Sequence, residues 1–362
     1  MGKKTIFDSM AEHNYEQIIH FYDAVTGLKG ITVIHNTTLG PALGGTRIWD
    51  YASEEEALQD CMRLARGMTY KASAAGLNLG GGKTVLIGDV NKLRSEAYFR
   101  SLGRYVQSLN GRYITAEDVN TSTKDMNYVH METDYVVGLE GKSGNPSPMT
   151  ALGAFYGIKA ALKYKFNDDE IAKYSFAVQG AGQTGYYLIN YLLEAGAKKI
   201  LFTELNPKHI ERMASEHPEV IFVRPEEIYA QEVDVFVPCA LGGILNDVTI
   251  ALIKAPIIAG TANNVLLDEQ RHGDMIKERG ILYAPDFVIN AGGVISVYHE
   301  LQGYVKERVI SDVKLIYDRL LEIFKIAATE NINTQIAAKV FAKKRIETVG
   351  RIRQNYIKRA GH

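Results

Sequence analysis

Two lysines stand in surroundings that are unusual for a charged side chain. Lys71 and Lys83 lie twelve residues apart, and the residues between them are mostly small or apolar. Burial of an ammonium group favours its neutral form, which is the form that a general base requires. We therefore interpret Lys83 as a candidate general base and Lys71 as a candidate cation for a carboxylate. The alternative, a buried stem with the ammonium in water, carries equal weight on these residues alone.

Asp118 is a candidate acidic partner for a catalytic lysine. It stands in the stretch 115–119, next to a second acid, Glu117. A single aspartate more often caps a helix, because its carboxylate accepts hydrogen bonds from backbone N–H groups there. Both interpretations stay open at this point.

A glycine-rich turn in the second half of the chain has the spacing of a dinucleotide site. Three glycines arranged as GxGxxG follow a strand predicted over 174–179 and open a helix predicted over 186–196. Such glycines allow a sharp turn, a close approach of the backbone to a pyrophosphate, and tight packing of helix on strand. The helix N-terminus adds its positive end. A turn without a ligand is the alternative. The candidates for cofactor binding are Gly180, Gly182, Gln183, Thr184 and Gly185.

An acid at the end of the next strand indicates NAD. Glu204 closes the strand predicted over 199–204, 19 residues after Gly185. Its carboxylate would accept hydrogen bonds from both ribose hydroxyls and repel a 2′-phosphate, so NAD is favoured over NADP. Lys208 lies four residues further on, and we interpret it as a surface residue.

The elements that carry these residues follow from hydrophobic periodicity. A helix is predicted over 53–65, where Ser53 and Glu56 form a capping box. A helix rich in small residues is predicted over 151–164, and the pattern from 294 to 357 is mostly helical. Short apolar runs predict further strands over 30–35, 83–88, 233–238, 255–259 and 280–284.

The densest cluster of Gly, Ser, Asn and Pro lies at 138–150. Such a stretch does not continue a helix or a central strand, so we predict a domain boundary and a hinge there. Residues 1–148 then form one domain, and residues 149–331 form a Rossmann-type domain with a doubly wound sheet. The whole chain is predicted to be an α/β protein.

Composition excludes several classes of partner. The 362 residues include 41 Lys and Arg against 42 Asp and Glu, for a net charge of −1. This near balance gives no long-range attraction for nucleic acid or an anionic membrane. The two cysteines, Cys61 and Cys239, fit neither a disulfide framework nor a zinc site. Because no secretory signal or membrane-spanning run is visible, we expect a cytoplasmic protein without a metal.

Six motifs in order resemble the family of glutamate, leucine, phenylalanine and valine dehydrogenases, from about residue 12 to about residue 345. They are PALGGTR at 41–47, LGGGK at 79–83, AEDV at 116–119, GNPS at 144–147, the glycine turn at 180–185 and VINAGGV at 288–294. The resemblance implies that the first domain binds the substrate and forms the oligomer. It also implies that a C-terminal helical segment, about 332–362, returns to that domain.

The resemblance implies oxidative deamination of an L-amino acid to a 2-oxo acid and ammonia. Lys83 would be the general base, Asp118 its partner in proton transfer, and Lys71 the ligand of the substrate carboxylate. The remaining substrate residues would be Gly44, Gly45 and Asn290. Asn290 would also contact the cofactor, together with Thr150, Cys239, Ala240 and Asn263. Homo-oligomers are implied, and octamers for the members that act on leucine.

The pocket residues implied by the resemblance are apolar. Leu43 stands where the glutamate enzymes carry a lysine, and a buried glutamate carboxylate facing Leu43 would lack a partner, at a cost of several kcal/mol. Ala116, Val294 and Val297 complete the expected wall. We therefore expect a branched-chain substrate, with leucine first and then isoleucine or valine. A phenylalanine or valine dehydrogenase is the alternative within the family.

Two other functions need consideration. A hydroxy-acid dehydrogenase would use a histidine paired with an acid, but His299 and Glu300 are adjacent and do not share a helix face. A dinucleotide-binding protein without catalysis is the second alternative, and the presence of both Lys83 and Asp118 argues against it.

Overall fold

The computed structural model describes residues 5–354, and these form two compact units. The first unit holds the described residues up to Gly144 together with those from Ala342 onward. The second unit runs from Asn145 to Phe341. The chain therefore returns to the first unit near its C-terminal end, as the predicted fold class requires.

The first unit is built on a five-stranded sheet in the order β1-β2-β4-β3-β5. Strands β3, β4 and β5 are parallel, whereas β2 is antiparallel to both β1 and β4. The strands are β1 (Gln17–Asp23), β2 (Leu28–Asn36), β3 (Ala42–Trp49), β4 (Gly80–Ile87) and β5 (Tyr113–Glu117). The helices are α1 (Ile6–His13), α2 (Glu54–Ala74), α3 (Val90–Leu93), α4 (Glu96–Ser108) and α5 (Thr123–His130).

Each face of this sheet buries a different apolar cluster. Side chains alternate between the two faces, so Val85 and Leu86 of β4 enter different clusters. Leu86 packs with residues of α4 such as Phe99. Val85 packs with residues of α2 such as Cys61. The α2 face therefore also receives the other β4 residues that alternate with Val85, including Lys83.

Helix α2 starts as predicted, but its predicted end is wrong. The Ser53 hydroxyl accepts a hydrogen bond from the Glu56 N–H, which confirms Ser53 as the N-cap. The Glu56 carboxylate accepts from the Ala52 N–H and not from that of Ser53, so the reciprocal half of the predicted capping box is wrong. The helix then continues past residue 65 to Ala74, so Lys71 lies in its last turn. Gly67, which weakens a helix, is tolerated because the small residues that follow it, such as Ala72 and Ser73, are buried.

The second unit contains a six-stranded, fully parallel sheet in the order β11-β10-β9-β6-β7-β8. The strands are β6 (Ser175–Gln179), β7 (Lys199–Thr203), β8 (Ile221–Phe222), β9 (Val235–Pro238), β10 (Ile257–Ile258) and β11 (Leu282–Tyr283). The helices are α6 (Ser147–Phe166), α7 (Gln183–Glu194), α8 (Pro207–Glu216), α9 (Asp247–Leu252), α10 (Arg271–Glu278), α11 (Asp286–Ile289), α12 (Gly292–Glu300), α13 (Lys306–Lys314), α14 (Ile316–Glu330) and α15 (Thr334–Gly350). This doubly wound order confirms the Rossmann-type prediction.

Several predicted boundaries in this unit need correction. Helix α6 begins at Ser147, inside the stretch expected to be irregular, because Pro148 occupies the first turn, where its missing N–H is no loss. Strands β10 and β11 have only two residues each rather than five. The helical pattern predicted to reach residue 357 continues through α15 to a 3-10 turn ending at Gln354. Residues 1–4 and 355–362 of the predicted first domain lie outside the described residues.

Within residues 5–354, no helix is both long and apolar enough to cross a membrane.

Two glycines of the first unit should respond in opposite ways to alanine. A Cβ on Gly81 would lie 2.1 Å from the Thr69 backbone nitrogen, so Gly81→Ala should lower the free energy of unfolding by about 3 kcal/mol. Gly67 lies in α2 with nothing within 4 Å of such a Cβ, so Gly67→Ala should raise it by about 0.5 to 1 kcal/mol. Urea unfolding of both variants tests this contrast. Equal effects at the two positions would contradict the close packing of α2 on β4.

Candidate active site

The three parallel strands of the first unit place the predicted catalytic residues on one face of the sheet. Leu43 of β3 pairs with Gly81 of β4, and Gly45 of β3 pairs with Ala116 of β5. Strand alternation then sets Leu43, Ala116 and Lys83 on the face that α2 covers. Leu43 is 2% exposed and Ala116 is 9% exposed. A charged group and an apolar wall therefore share this face.

Lys83 and Asp118 form a largely buried ion pair. Lys83 Nζ lies 2.8 Å from Asp118 Oδ2, and the lysine side chain is 5% exposed. Burial opposes ionisation of the carboxyl, but the neighbouring cations Lys83 and Arg47 outweigh it and lower the pKa of Asp118 to about 2. Asp118 does not cap a helix, because Ser122 is the N-cap of α5. The helix-cap interpretation of Asp118 is therefore wrong.

Arg47 is a residue of this cluster that sequence reasoning missed. Its Nε donates to Asp118 Oδ2 at 3.0 Å, and its Nη1 donates to Asp60 Oδ2 at 3.1 Å. The hydroxyl of Tyr51 also donates to Asp60, at 2.8 Å. Both acidic partners of Arg47 lie far from it along the chain, so no local pattern links them to it. The only signal in the sequence was the position of Arg47 at the end of the PALGGTR motif.

Close backbone packing explains the glycines of this motif. A Cβ on Gly44 would lie 1.8 Å from the carbonyl oxygen of Gly82, and one on Gly45 would lie 2.5 Å from that of Glu117. Either side chain would force β3 away from its neighbours.

Lys71, in the last turn of α2, is half-buried.

The glycine turn of the second unit has the local geometry that a pyrophosphate needs. Gly180 has φ +97°, a left-handed conformation that favours glycine. A Cβ on Gly185 would lie 2.0 Å from the Gly180 carbonyl oxygen, whereas the nearest atom to one on Gly182 is His209 Cε1 at 3.9 Å. Helix α7 begins at this turn, and no side chain caps it. Its first N–H groups can therefore bind an anion, so the residues fit a dinucleotide.

Glu204 lies directly after β7 and touches the glycine turn. Its Oε2 accepts a hydrogen bond from the Ala181 N–H at 2.9 Å, and its Oε1 accepts from the N–H groups of Leu205 and Asn206. Partial burial opposes ionisation, but these backbone donors outweigh it and lower the pKa of Glu204. The carboxylate is therefore negatively charged at neutral pH.

The other predicted cofactor residues gather around the ends of the parallel strands. Asn290 Nδ2 donates to Asn263 Oδ1 at 2.7 Å, while Asn290 Oδ1 is buried and has no partner among residues 5–354. An orphaned acceptor here fits a ligand that donates a hydrogen bond. Thr184 bonds Thr261 at 2.7 Å, which holds α7 against the strand ends.

Four further predicted residues lie near the turn or near Asn290. Cys239 and Ala240 lie against Gly185 and Gly180 respectively. Burial raises the pKa of the Cys239 thiol to about 11, so it is a neutral side chain at neutral pH. Gln183 is exposed, and Thr150 Oγ1 donates to the Pro146 carbonyl at 3.0 Å.

The remaining pocket residues lie on α12. Val294 and Val297 are each 8% exposed, in the second unit. His299 of the same helix bonds Asp312 at 2.8 Å rather than the adjacent Glu300. The structure thus brings Lys83 together with Asp118 in the first unit and Glu204 together with the glycine turn in the second. No group of three metal-binding side chains occurs in the described part of the chain.

Comparison with known proteins decides the family. Residues 16–135 match the Glu/Leu/Phe/Val dehydrogenase dimerisation domain, and residues 203–357 match the Glutamate/Leucine/Phenylalanine/Valine dehydrogenase model. The chain belongs to the glutamate, leucine, phenylalanine and valine dehydrogenase family. The resemblance predicted from the six motifs is therefore confirmed.

Relatives cover almost the whole chain. A leucine dehydrogenase of Geobacillus stearothermophilus is 53% identical over 360 residues, which is 99% of this chain and 97% of the relative. A phenylalanine dehydrogenase of Bacillus thermotolerans is 44% identical over 96% of this chain and 92% of the relative. The crystal structure of L-tryptophan dehydrogenase from Nostoc punctiforme has a TM-score of 0.85 at 43% identity, covering 95% of this chain and 99% of that one.

This member of the family is an amino acid dehydrogenase that acts on a CH–NH₂ group. Its reactants are an amino acid, a 2-oxo acid and ammonia, and its cofactor is a nicotinamide dinucleotide. The predictions of an enzyme, of its reaction class and of an α/β fold of two domains are confirmed.

Asp118 should make folding stability dependent on acid pH. Its pKa is about 2 in the folded protein, against about 3.9 when unfolded. Its ionised form therefore stabilises the fold by about 2 to 3 kcal/mol above about pH 5, and this is lost as the pH falls toward about 2. In Asp118→Asn this pH dependence is absent, so the difference in unfolding free energy between wild type and variant should narrow toward acid pH.

Urea unfolding measured at stepped pH values checks this expectation. Asp50→Asn, at an exposed aspartate just after β3, is the matched control. Curves for wild type and Asp118→Asn that stay parallel across the acid range would contradict the assigned ion pair.

Proposed function

We propose that this dehydrogenase catalyses the reversible, NAD-dependent oxidative deamination of branched-chain L-amino acids, L-leucine above all. The observation that carries the proposal is the buried Lys83–Asp118 pair on the same sheet face as the apolar Leu43. The pair supplies acid–base chemistry. The apolar neighbour selects a substrate without a charged side chain.

Residues of the chain divide the reaction between them. A nicotinamide dinucleotide held at the glycine turn would supply the acceptor for the hydride of the substrate α-carbon. Lys71 holds the substrate carboxylate, and Asn290 fixes the amino group. Neutral Lys83 takes a proton from the water that attacks the resulting imine and passes it to the amino group of the carbinolamine. As ammonia leaves, Lys83 takes the proton of the carbinolamine hydroxyl, and Asp118 assists these transfers as the partner of Lys83. Exclusion of bulk water during these steps requires the substrate to be enclosed.

The side chains that the family resemblance assigns to substrate binding suggest the preferred amino acid. Leu43, Ala116, Val294 and Val297 are the proposed walls, and none of them carries a charge. Leucine, isoleucine and valine fit such walls, while one methylene separates them by only about 1 to 3 kcal/mol. Relatives that are tryptophan and phenylalanine dehydrogenases make an aromatic substrate the second candidate.

The proposal of NAD rather than NADP rests on Glu204. Its carboxylate lies beside the glycine turn, where a ribose would be bound, and the depressed pKa keeps it charged. A 2′-phosphate would meet this charge. We also propose that Gly180, Gly182, Gln183, Thr184, Gly185, Thr150, Cys239, Ala240, Asn263 and Asn290 contact the cofactor.

We further propose the assembly and the division of labour between domains. Residues 1–148, joined by 332–362, would bind substrate and form a homo-oligomer, which we propose to be an octamer. Residues 149–331 would bind the cofactor. A cytoplasmic location is supported by the two free cysteines, Cys61 and Cys239.

A substrate panel tests the assigned reaction. NADH formation should occur with L-leucine, L-isoleucine and L-valine, should be weaker with L-phenylalanine and L-tryptophan, and should be absent with L-glutamate. Lys83→Ala should lower kcat by about 10²- to 10⁴-fold, because it removes the general base. Lys92→Ala, at a lysine 81% exposed in the same unit, is the control and should retain full activity. Glutamate turnover, or full activity in Lys83→Ala, would contradict the proposal.

Glu204→Gln tests the cofactor preference. The amide keeps an acceptor for the Ala181 N–H but loses the charge, so kcat/KM with NADP should rise about tenfold or more relative to kcat/KM with NAD. Glu211→Gln, at an exposed acid on α8, is the matched control. An unchanged ratio of the two kcat/KM values would show that Glu204 does not face the ribose.

A further inference from the structure

Arg47 ties the candidate catalytic pair to a second acid. One arm of its guanidinium donates to Asp118 and another donates to Asp60, and the arginine side chain is 21% exposed. Asp60 is itself held by the Tyr51 hydroxyl at 2.8 Å and by Arg63 Nη2 at 2.8 Å. The planar fork of Arg47 is therefore fixed at both ends.

Lys83 and Arg47 contact the same oxygen of Asp118. Lys83 Nζ lies 2.8 Å from Oδ2, and Arg47 Nε lies 3.0 Å from that atom. The hydrogen bond of Arg47 and the short contact of Lys83 therefore meet at one atom of the carboxylate. Two donors on one oxygen also fix the orientation of the carboxylate. Without Arg47, the carboxylate could rotate about its Cβ–Cγ bond while keeping Lys83.

We propose that Arg47 is a positioning residue for the proton transfers at Lys83 and Asp118. It acts through Asp118, whose orientation and negative charge it maintains, and Asp60 holds it in place. This inference rests on the proposed function, because it assigns a role within that reaction. A lysine at position 47 would keep the positive charge but would lack the planar fork that reaches both acids.

Charges on three elements surround Arg47 and Asp118. Lys83 faces them from β4, Glu117 adjoins Asp118 at the end of β5, and Asp60 and Arg63 face them from α2. Tyr51 contributes its hydroxyl from the segment between β3 and α2. Removing the positive charge of Arg47 favours the protonated form of any acid in this group.

Steady-state kinetics of Arg47→Met and Arg47→Lys test the proposal with L-leucine and NAD. Arg47→Met should lower kcat at least tenfold, while KM for L-leucine changes less than threefold, because Arg47 does not bind substrate. The acid limb of its kcat profile should move to higher pH by about one unit. Arg47→Lys should lower kcat but leave the acid limb close to its wild-type position.

Two more variants complete the test. Arg104→Met is the matched control, because Arg104 is a 72% exposed arginine of α4 that pairs with Glu132 and not with any member of this cluster. It should keep kcat within twofold of wild type. Asp60→Asn loosens Arg47 without deleting it and should lower kcat with an unchanged KM. It replaces Arg47→Met if that variant does not fold.

The outcomes separate this inference from the proposed function. If wild type turns over none of the branched-chain amino acids, the proposed function fails. If wild type is active and Arg47→Met keeps its kcat and pH profile, only the positioning role fails. A kcat that falls only in proportion to the folded fraction, with an unshifted acid limb, would reduce Arg47 to a structural residue and overturn the inference.

Discussion

A buried ammonium group requires a negative partner, and the first unit is arranged around this requirement. Lys83 stands in the interior of a sheet, where an unpaired charge would cost several kcal/mol. Its partner Asp118 follows β5, yet β3 separates β5 from the lysine strand β4. The pair can form only across β3. Gly45 of that strand makes this possible, because a Cβ there would lie 2.8 Å from Asp118 Cβ.

The same requirement extends into a chain of alternating charges. Lys83, Asp118, Arg47 and Asp60 follow one another at contacts of 2.8 to 3.1 Å. Asp118 and Arg47 each have an opposite charge on both sides, and Asp60 also pairs with Arg63, so Lys83 is the member that depends on one partner. Burial opposes ionisation of both aspartates, but Lys83 and Arg47 lower the pKa of Asp118, and Arg63 and Tyr51 together with Arg47 lower the pKa of Asp60. In an isolated buried ion pair, one contact must offset the desolvation of both ions. In this series of four charges, several contacts together offset that desolvation.

How far the sequence predicts such a site depends on whether its contacts are local. The glycine turn and the start of α2 could be predicted, because both depend on residues within a few positions. The end of α2 could not be, since packing on β4 overrides the weakness that Gly67 introduces. Arg47 could not be assigned a partner, because Asp60 is 13 residues away and Asp118 is 71. Only the register of β3 against β5 brings Arg47 and Asp118 together.

The role proposed for Glu204 in cofactor preference is linked to the backbone geometry of the second unit. Its carboxylate accepts the N–H of Ala181, which lies between the first two glycines of the turn. The acid that would face a ribose thus also holds the loop that would face the pyrophosphate. Any replacement that removes the acceptor leaves the Ala181 N–H without its hydrogen-bond partner and also removes a negative charge. A replacement meant to change cofactor specificity should therefore still accept the hydrogen bond of the Ala181 N–H. Loss of the charge is then separated from loss of the hydrogen bond that holds the turn.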